Sequence, residues 1–226
     1  MPLTLERSPT TYVPPDPSRF RRLLRDLLSI DVPDGYRAEI VGESIVLSPW
    51  PPPHYLLTMR AIESQLAPLA PDGHVLTGTP CLFTFPAQER AVQPEMYAVD
   101  RSAFHTDAYH LDGRELSLAV ELTCPATRHH DYGDKLATYG QAGVPVYLLA
   151  DMEEQRTTVF WEPGEDGYAE RESARFGEEL RVPAFSAREP GAVGATPLKP
   201  PRTAAPPAPA GDPRPPSGGP AWPGCC

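Results

Sequence analysis

The eight residues Leu116–Thr123, LSLAVELT, constrain the fold of this chain more than any other stretch. They are apolar enough to form a strand buried on both faces, which makes it a central strand of a sheet. Glu121 lies near its end. Burying an unpaired carboxylate is costly, so this side chain must face a polar opening, a cation or a metal.

The flanking sequence supplies the rest of a mixed α/β domain around one sheet. In SRFRRLLRDLLSI the apolar residues Phe20, Leu23, Leu24, Leu27 and Leu28 recur at helical spacing behind Ser18, a plausible N-cap. YRAEIV and SIVLSP flank the Gly42-Glu43 turn as a hairpin. A second helix begins near His54, after prolines that forbid helix before it, with Met59, Ile62, Leu66 and Leu69 on one side. Short strands follow at HVLTG, CLFTF and EMYAV. After the central strand come a helix from about His130 to Ala142, a Gly-Val-Pro turn, the strand VYLLA and two or three further strands. From Arg188 onward Pro, Gly and Ala dominate, and no periodic apolar face remains to offset ordering entropy. The expected organisation is a folded domain at 1–187 and a disordered tail at 188–226, either merely solvated or docking a Pro-recognising partner.

Composition narrows the setting. No apolar run resembles a signal peptide or approaches the roughly 20 residues that span a bilayer, so a soluble, cytoplasmic protein is expected. The four cysteines, Cys81, Cys124, Cys225 and Cys226, lack zinc spacing, which predicts reduced thiols and no structural metal. Residues 1–187 carry 16 basic against 28 acidic groups, a net of −12, which counts against a large nucleic-acid footprint but leaves room for a small cationic groove.

The chain has eighteen arginines and two lysines, and Lys135 is the only lysine before the tail. A bland surface cation here would be arginine; a compact ammonium cannot be exchanged for a planar guanidinium without changing geometry. Lys135 lies in the helix after the Glu121 strand, and Glu95 starts another apolar strand directly after Pro94. Two carboxylates entering one sheet at comparable positions suit Mg²⁺ or Mn²⁺, and a helix folded back along the sheet brings Lys135 to the same pocket. A metal beside a lysine serves phosphodiester hydrolysis, polarising a phosphoryl oxygen and lowering the pKa of a bound water while the ammonium stabilises the attacked phosphate. Acid pairs near a lysine also occur as structural salt bridges, and the pattern alone leaves both open.

The segment SLAVELTCPATRHHDYGDKLATYGQAGVPVYLLAD resembles the signature of the Uma-two family of restriction endonuclease-like proteins, a branch of the PD-(D/E)XK nuclease superfamily. The matching positions are Glu121, Cys124-Pro125-Ala126-Thr127, Asp131 and Lys135, Tyr139, Gly143-Val144-Pro145, Tyr147 and Asp151. Upstream, Glu39, Gly42, Ser48-Pro49 and His54 resemble the family's opening hairpin and helix start, so the likeness runs over roughly residues 15 to 185. It implies a restriction-endonuclease-like mixed sheet flanked by helices, with an N-terminal helix and β-hairpin. It implies Mg²⁺-dependent cleavage of DNA with Glu95 and Glu121 on the metal, and a catalytic lysine moved from the position of Thr123 to Lys135. The chain departs from the family in having Glu95 for an Asp and Cys124 for a turn serine. A noncatalytic nuclease-fold module acting through association is the competing reading, and a homodimer stays open.

The remaining candidates keep their alternatives. His54 either lines the pocket mouth or caps the second helix. Asp131 is favoured by the helix dipole, paired with Lys135 four residues on, or, as the lesser alternative, directly catalytic. Glu39 faces the site or makes a cross-strand ion pair. Arg128 and Arg101 are candidate contacts to a nucleic-acid backbone, Cys124 reads as a bystander thiol, and His129-His130 as the solvated start of a helix.

Overall fold

The computed structural model describes residues 17–185 and the strand at 196–198. The helices are α1 (Pro17–Ser29), α2 (Tyr55–Leu66), α3 (Arg128–His130) and α4 (Leu136–Gln141), the last two joined through a π-helical turn, Asp131–Lys135. The strands are β1 (Tyr36–Val41), β2 (Ser44–Pro49), β3 (His74–Thr77), β4 (Phe83–Phe85), β5 (Arg90–Val92), β6 (Met96–Asp100), β7 (Leu111–Asp112), β8 (Leu116–Thr123), β9 (Val146–Asp151), β10 (Arg156–Gly164), β11 (Gly167–Arg175), β12 (Leu180–Val182) and β13 (Thr196–Leu198). None of the described helices is long and apolar enough to cross a membrane.

The expected central strand is central. All eight residues of β8 are buried, and it sits between β9 and β6 in a six-stranded mixed sheet of order β11-β10-β9-β8-β6-β3. Within this sheet only β8 and β9 pair in parallel, through the crossover that α3 and α4 form. The strand alternates its two cores. Leu118, Val120 and Leu122 join Ile62 and Leu66 of α2 with Phe176 and Phe185 on one face, whereas Ala119 on the other meets Tyr139, Tyr147 and Phe160.

One sheet was expected and the described residues form more. The hairpin β1-β2 belongs to a second sheet of order β2-β1-β5-β4-β7, whose Val41, Phe83, Phe85 and Val92 pack into the core containing Tyr97, Val99 and Ala119. The covering on its outer side is α1, with Phe20 and Leu27 against Ala38, Ile40 and Ala91. Each apolar face thus finds a layer to bury it, and the protein is built as α1, small sheet, large sheet and α2, with α4 beside the small sheet. Helix α1 starts at Pro17, whose fixed φ suits a first helical position, and Ser18 lies inside it, where its Oγ accepts from Arg22.

The domain boundary at 187 also meets a finding. Thr196–Leu198, within the segment expected to be tail, pairs antiparallel with Leu180–Val182. The rest of that segment lies outside the described residues.

The crossover helix is pressed tightly onto the sheet. A Cβ on Gly140 of α4 would stand 2.3 Å from the carbonyl oxygen of Gly167, backbone that itself has φ +108. Because the obstacle is main chain, it cannot swing aside. Gly140→Ala is expected to destabilise the fold by about 1–3 kcal/mol, read as a lowered urea midpoint with an unchanged slope.

Candidate active site

Period-two alternation places the charged residues. In β1, Ala38 and Ile40 face α1, so Arg37, Glu39 and Val41 face inward, toward the large sheet. Glu95 precedes β6 with the same parity as inward-facing Tyr97, and Glu121 has the parity of Ala119 in β8. On the crossover helix, Asp131, Lys135 and Tyr139 recur every four residues and are all buried. Six charged groups from four elements therefore meet between the two sheets.

Lys135 is the hub. Its Nζ lies 3.1 Å from Glu121 Oε1, 3.2 Å from Glu39 Oε1 and 3.4 Å from Asp131 Oδ1. Tyr139 donates its hydroxyl to the same Glu121 oxygen at 2.8 Å. Asp131 accepts from Thr127 Oγ1 at 2.8 Å, and its carbonyl accepts from the Tyr147 hydroxyl at 3.0 Å. Asp131 is thus paired with Lys135, and Glu39 faces the same ammonium.

A second cation, unforeseen in the sequence, completes the cluster. Arg37 donates through Nη2 to Glu95 Oε1 at 2.6 Å and through Nη1 to the Gln93 carbonyl at 3.1 Å, with its Nε 3.8 Å from Glu39 Oε2. Glu95 Oε2 accepts from the Leu122 amide at 3.1 Å, and Glu39 Oε1 from the Gln93 amide at 2.7 Å. A charged residue in a strand ordinarily reads as solvent-facing. The available signal was the order Arg37-x-Glu39-x-Val41, which with Ala38 and Ile40 facing α1 puts both charges inward.

Four carboxyls against two cations leave an excess of negative charge in a closed space, and two of the carboxyls shift in opposite directions in response. Burial, then the charge of Glu95, pushes the Glu121 carboxyl well above its ordinary range against the pull of Lys135. Burial works against the charge on Glu95 too, but Arg37, a hydrogen bond from Glu121, Lys135 and the Leu122 amide together hold its carboxyl down at about 2. Among the described groups no donor reaches Glu121 Oε2, and the opposite shifts of the two carboxyls favour a proton on Glu121 over one on Glu95. Lys135 stays charged: burial opposes the ammonium, but Glu121, Glu39 and Asp131 raise its pKa.

Metal binding fits this pair in one specific sense. Among the described residues no three or more His, Cys, Asp or Glu side chains form a cage. Mg²⁺ needs none, since it is commonly held by one or two carboxylates with waters and substrate phosphates completing its shell. Glu121 Oε2, buried, without a donor and beside Glu95, is the atom such an ion would take, and Arg37 on Glu95 Oε1 is its competitor.

Access is narrow. Arg37 and Glu95 line a cavity of about 290 Å³ walled by Trp50, Pro51, Leu56 and Met59. His54 does not line it and makes no side-chain cap; it is exposed, with its ring edge-on to Tyr55, because the chain turns at Pro52 and Pro53 and aims Leu56 and Met59 at the cavity instead. Arg101 is also displaced. It follows the C-terminal end of β6, whereas Glu95 precedes the N-terminal end, so the strand separates them by about 17–20 Å. Cys124 is buried with Thr127 Oγ1 3.7 Å from its sulfur. His129 is exposed, with its ring 3.8 Å from that of His130 and tilted 41° to it, as expected of a solvated helix start. Asp151 closes the β9 turn through the Glu153 and Glu154 amides and binds Arg128 Nε at 3.0 Å.

The family model described as "Uma2: Putative restriction endonuclease" matches residues 20–192, most of the chain. The chain belongs to this family. Among solved structures, the fold is similar to that of a protein from Anabaena variabilis titled a "putative nuclease belonging to DUF820", with a TM-score of 0.53 at 15% identity over 72% of this chain and 90% of that one. No curated protein matches. Glu39, Glu95, Glu121, Asp131 and Lys135 of this Uma2 chain thus converge on a fold similar to that structure.

Proposed function

We propose that this Uma2 chain is a metal-dependent endonuclease that hydrolyses DNA phosphodiester bonds. The observation that carries the reading is the convergence of Glu95, Glu121 and Lys135, from three separate elements, around a buried carboxylate oxygen with no donor of its own. Glu95 and Glu121 would hold Mg²⁺ or Mn²⁺. A bound ion there supplies Lewis acidity toward a phosphoryl oxygen and a lowered pKa for a coordinated water. The chain's own residues do the rest. Lys135, fixed by Glu39 and Asp131 as well as by Glu121, presents a positive charge that cannot swing away and so stabilises the charge developing on phosphate. Tyr139 keeps its proton, because burial and then the Glu121 charge raise its pKa, and so holds Glu121 in one orientation. A proton favoured on Glu121 would be released if the pair took up a cation.

A second reading has its own observation. Arg37 already sits on Glu95, supplying part of the positive charge a metal would bring, and a chain so neutralised suits a noncatalytic module acting through association. Two measurements separate these readings. Supercoiled plasmid incubated with the protein and Mg²⁺ or Mn²⁺ should be nicked and linearised, with no product in EDTA; the absence of product from duplex or single-stranded DNA with either metal would favour the second reading. Calorimetric Mn²⁺ titration should show affinity rising with pH and release of about one proton per ion, because Glu121 must ionise to bind.

A further inference from the structure

Although the folded part of the chain is acidic, one open groove gathers arginines. It has a volume of about 700 Å³ and is lined by Arg128, Arg156 and Arg171 together with His129, Tyr132 and Phe160. Glu154 is the acidic side chain on its rim, and Arg128 is occupied by it and by Asp151. Arg156 and Arg171 make no ion pair among the described residues, so their charge faces solvent in the groove.

Register shows where the groove lies. Glu121 pairs with Leu149, Leu149 with Thr158, and Thr158 with Ser173, so the four form one row across the large sheet. Thr158 and Ser173 line the groove and bond to each other at 2.8 Å. With strands spaced about 4.8 Å, they stand about 10 and 14 Å from Glu121. Phe160 pairs with Arg171 and Thr158 with Ser173, which keeps both arginine-bearing strands on this face. The helix that carries Asp131 and Lys135 to the acid cluster turns His129 and Tyr132 to the groove. Two features three to four stacked nucleotides apart, at about 3.4 Å per nucleotide, thus flank one helix.

We infer that this groove binds the phosphate backbone of the nucleic-acid strand whose scissile bond lies at the acid cluster, with Arg156 and Arg171 as the phosphate contacts. The inference rests on the nuclease reading. A planar guanidinium suits bidentate contact with phosphate oxygens, and exposed His129 with half-buried Tyr132 offers ring surface alongside. It replaces Arg101, placed too far away, as a source of backbone contacts.

The test measures binding without cleavage: anisotropy of fluorescein-labelled duplex and single-stranded oligonucleotides in EDTA, over a range of salt. Arg156→Gln/Arg171→Gln should weaken binding about tenfold and lower the salt slope by about 2, one for each lost phosphate contact. Arg21→Gln/Arg25→Gln on α1, with the same change in net charge, should bind as wild type does. Equal affinity in the groove variant, or an equal loss in the α1 variant, overturns the assignment. Unchanged binding in the groove variant beside metal-dependent cleavage by wild type defeats the groove alone. Groove-dependent binding with no cleavage under any metal defeats the nuclease reading alone.

Discussion

Lys135→Met is expected to destabilise the protein by about 3–5 kcal/mol at neutral pH, because it leaves Glu39, Glu121 and Asp131 facing one another in a dry space without their shared counter-charge. Methionine keeps the length and apolar bulk, so the loss reports charge rather than a cavity. The pH dependence identifies the cause. In wild type, Lys135 has a folded pKa above its ordinary value of 10.5, so its contribution is fully present below that pH and is level across the neutral range. In the variant the carboxyls must either repel or take up protons, which raises their folded pKa values; their stability is then present at low pH and lost as pH rises. Urea unfolding at about pH 5 and pH 8 should show the variant more stable at the lower pH. Equal deficits at both values would place the effect in packing instead.

Glu121→Gln should separate folding from chemistry. The raised pKa of Glu121 favours its protonated form, and a glutamine imitates that form: its amide nitrogen can donate toward Glu95 while its oxygen still accepts from Lys135 and Tyr139. Stability near pH 4.5 should stay within about 1 kcal/mol of wild type. Divergence should open above that pH, with the variant the more stable. A raised folded pKa means that wild type loses stability as pH climbs from the ordinary carboxyl value of 4.5 toward the raised one, whereas glutamine has nothing to ionise. On the acid side both should weaken as pH falls from about 4.5 toward 2, the window in which Glu95 loses its depressed-pKa contribution. Metal-dependent cleavage, by contrast, should fall at least about 100-fold, since a neutral amide is a poor substitute for a carboxylate on a hard cation.

Much of this arrangement was legible because the periodicity is strong and local. LSLAVELT reads as doubly buried strand and is one; the helix carrying Lys135 and the strand VYLLAD follow at short range, so Glu121 and Lys135 meet through one crossover. The second sheet was not legible. Its strands β4, β5 and β7 are two or three residues long, too short for a repeating pattern, and β7 joins β4 by a pairing more than 25 residues away in sequence. Arg37 was missed for the same reason. Nothing local marks a strand as covered on both faces; that depends on α1 packing outside β1 while the large sheet packs inside. The alternatives for Glu39 closed only when that second layer was in place. His54, conversely, looked functional by position, yet a turn through two prolines decided where it points.

The central claim is that the Glu95, Glu121 and Lys135 cluster hydrolyses DNA when a divalent ion is present. The most direct measurement is the initial rate of plasmid nicking by wild type and Glu121→Gln side by side in Mn²⁺, with both proteins confirmed folded at the assay pH beforehand. The account predicts nicking by wild type that EDTA abolishes and a rate at least about 100-fold lower in the variant. Equal nicking by the two proteins would contradict it.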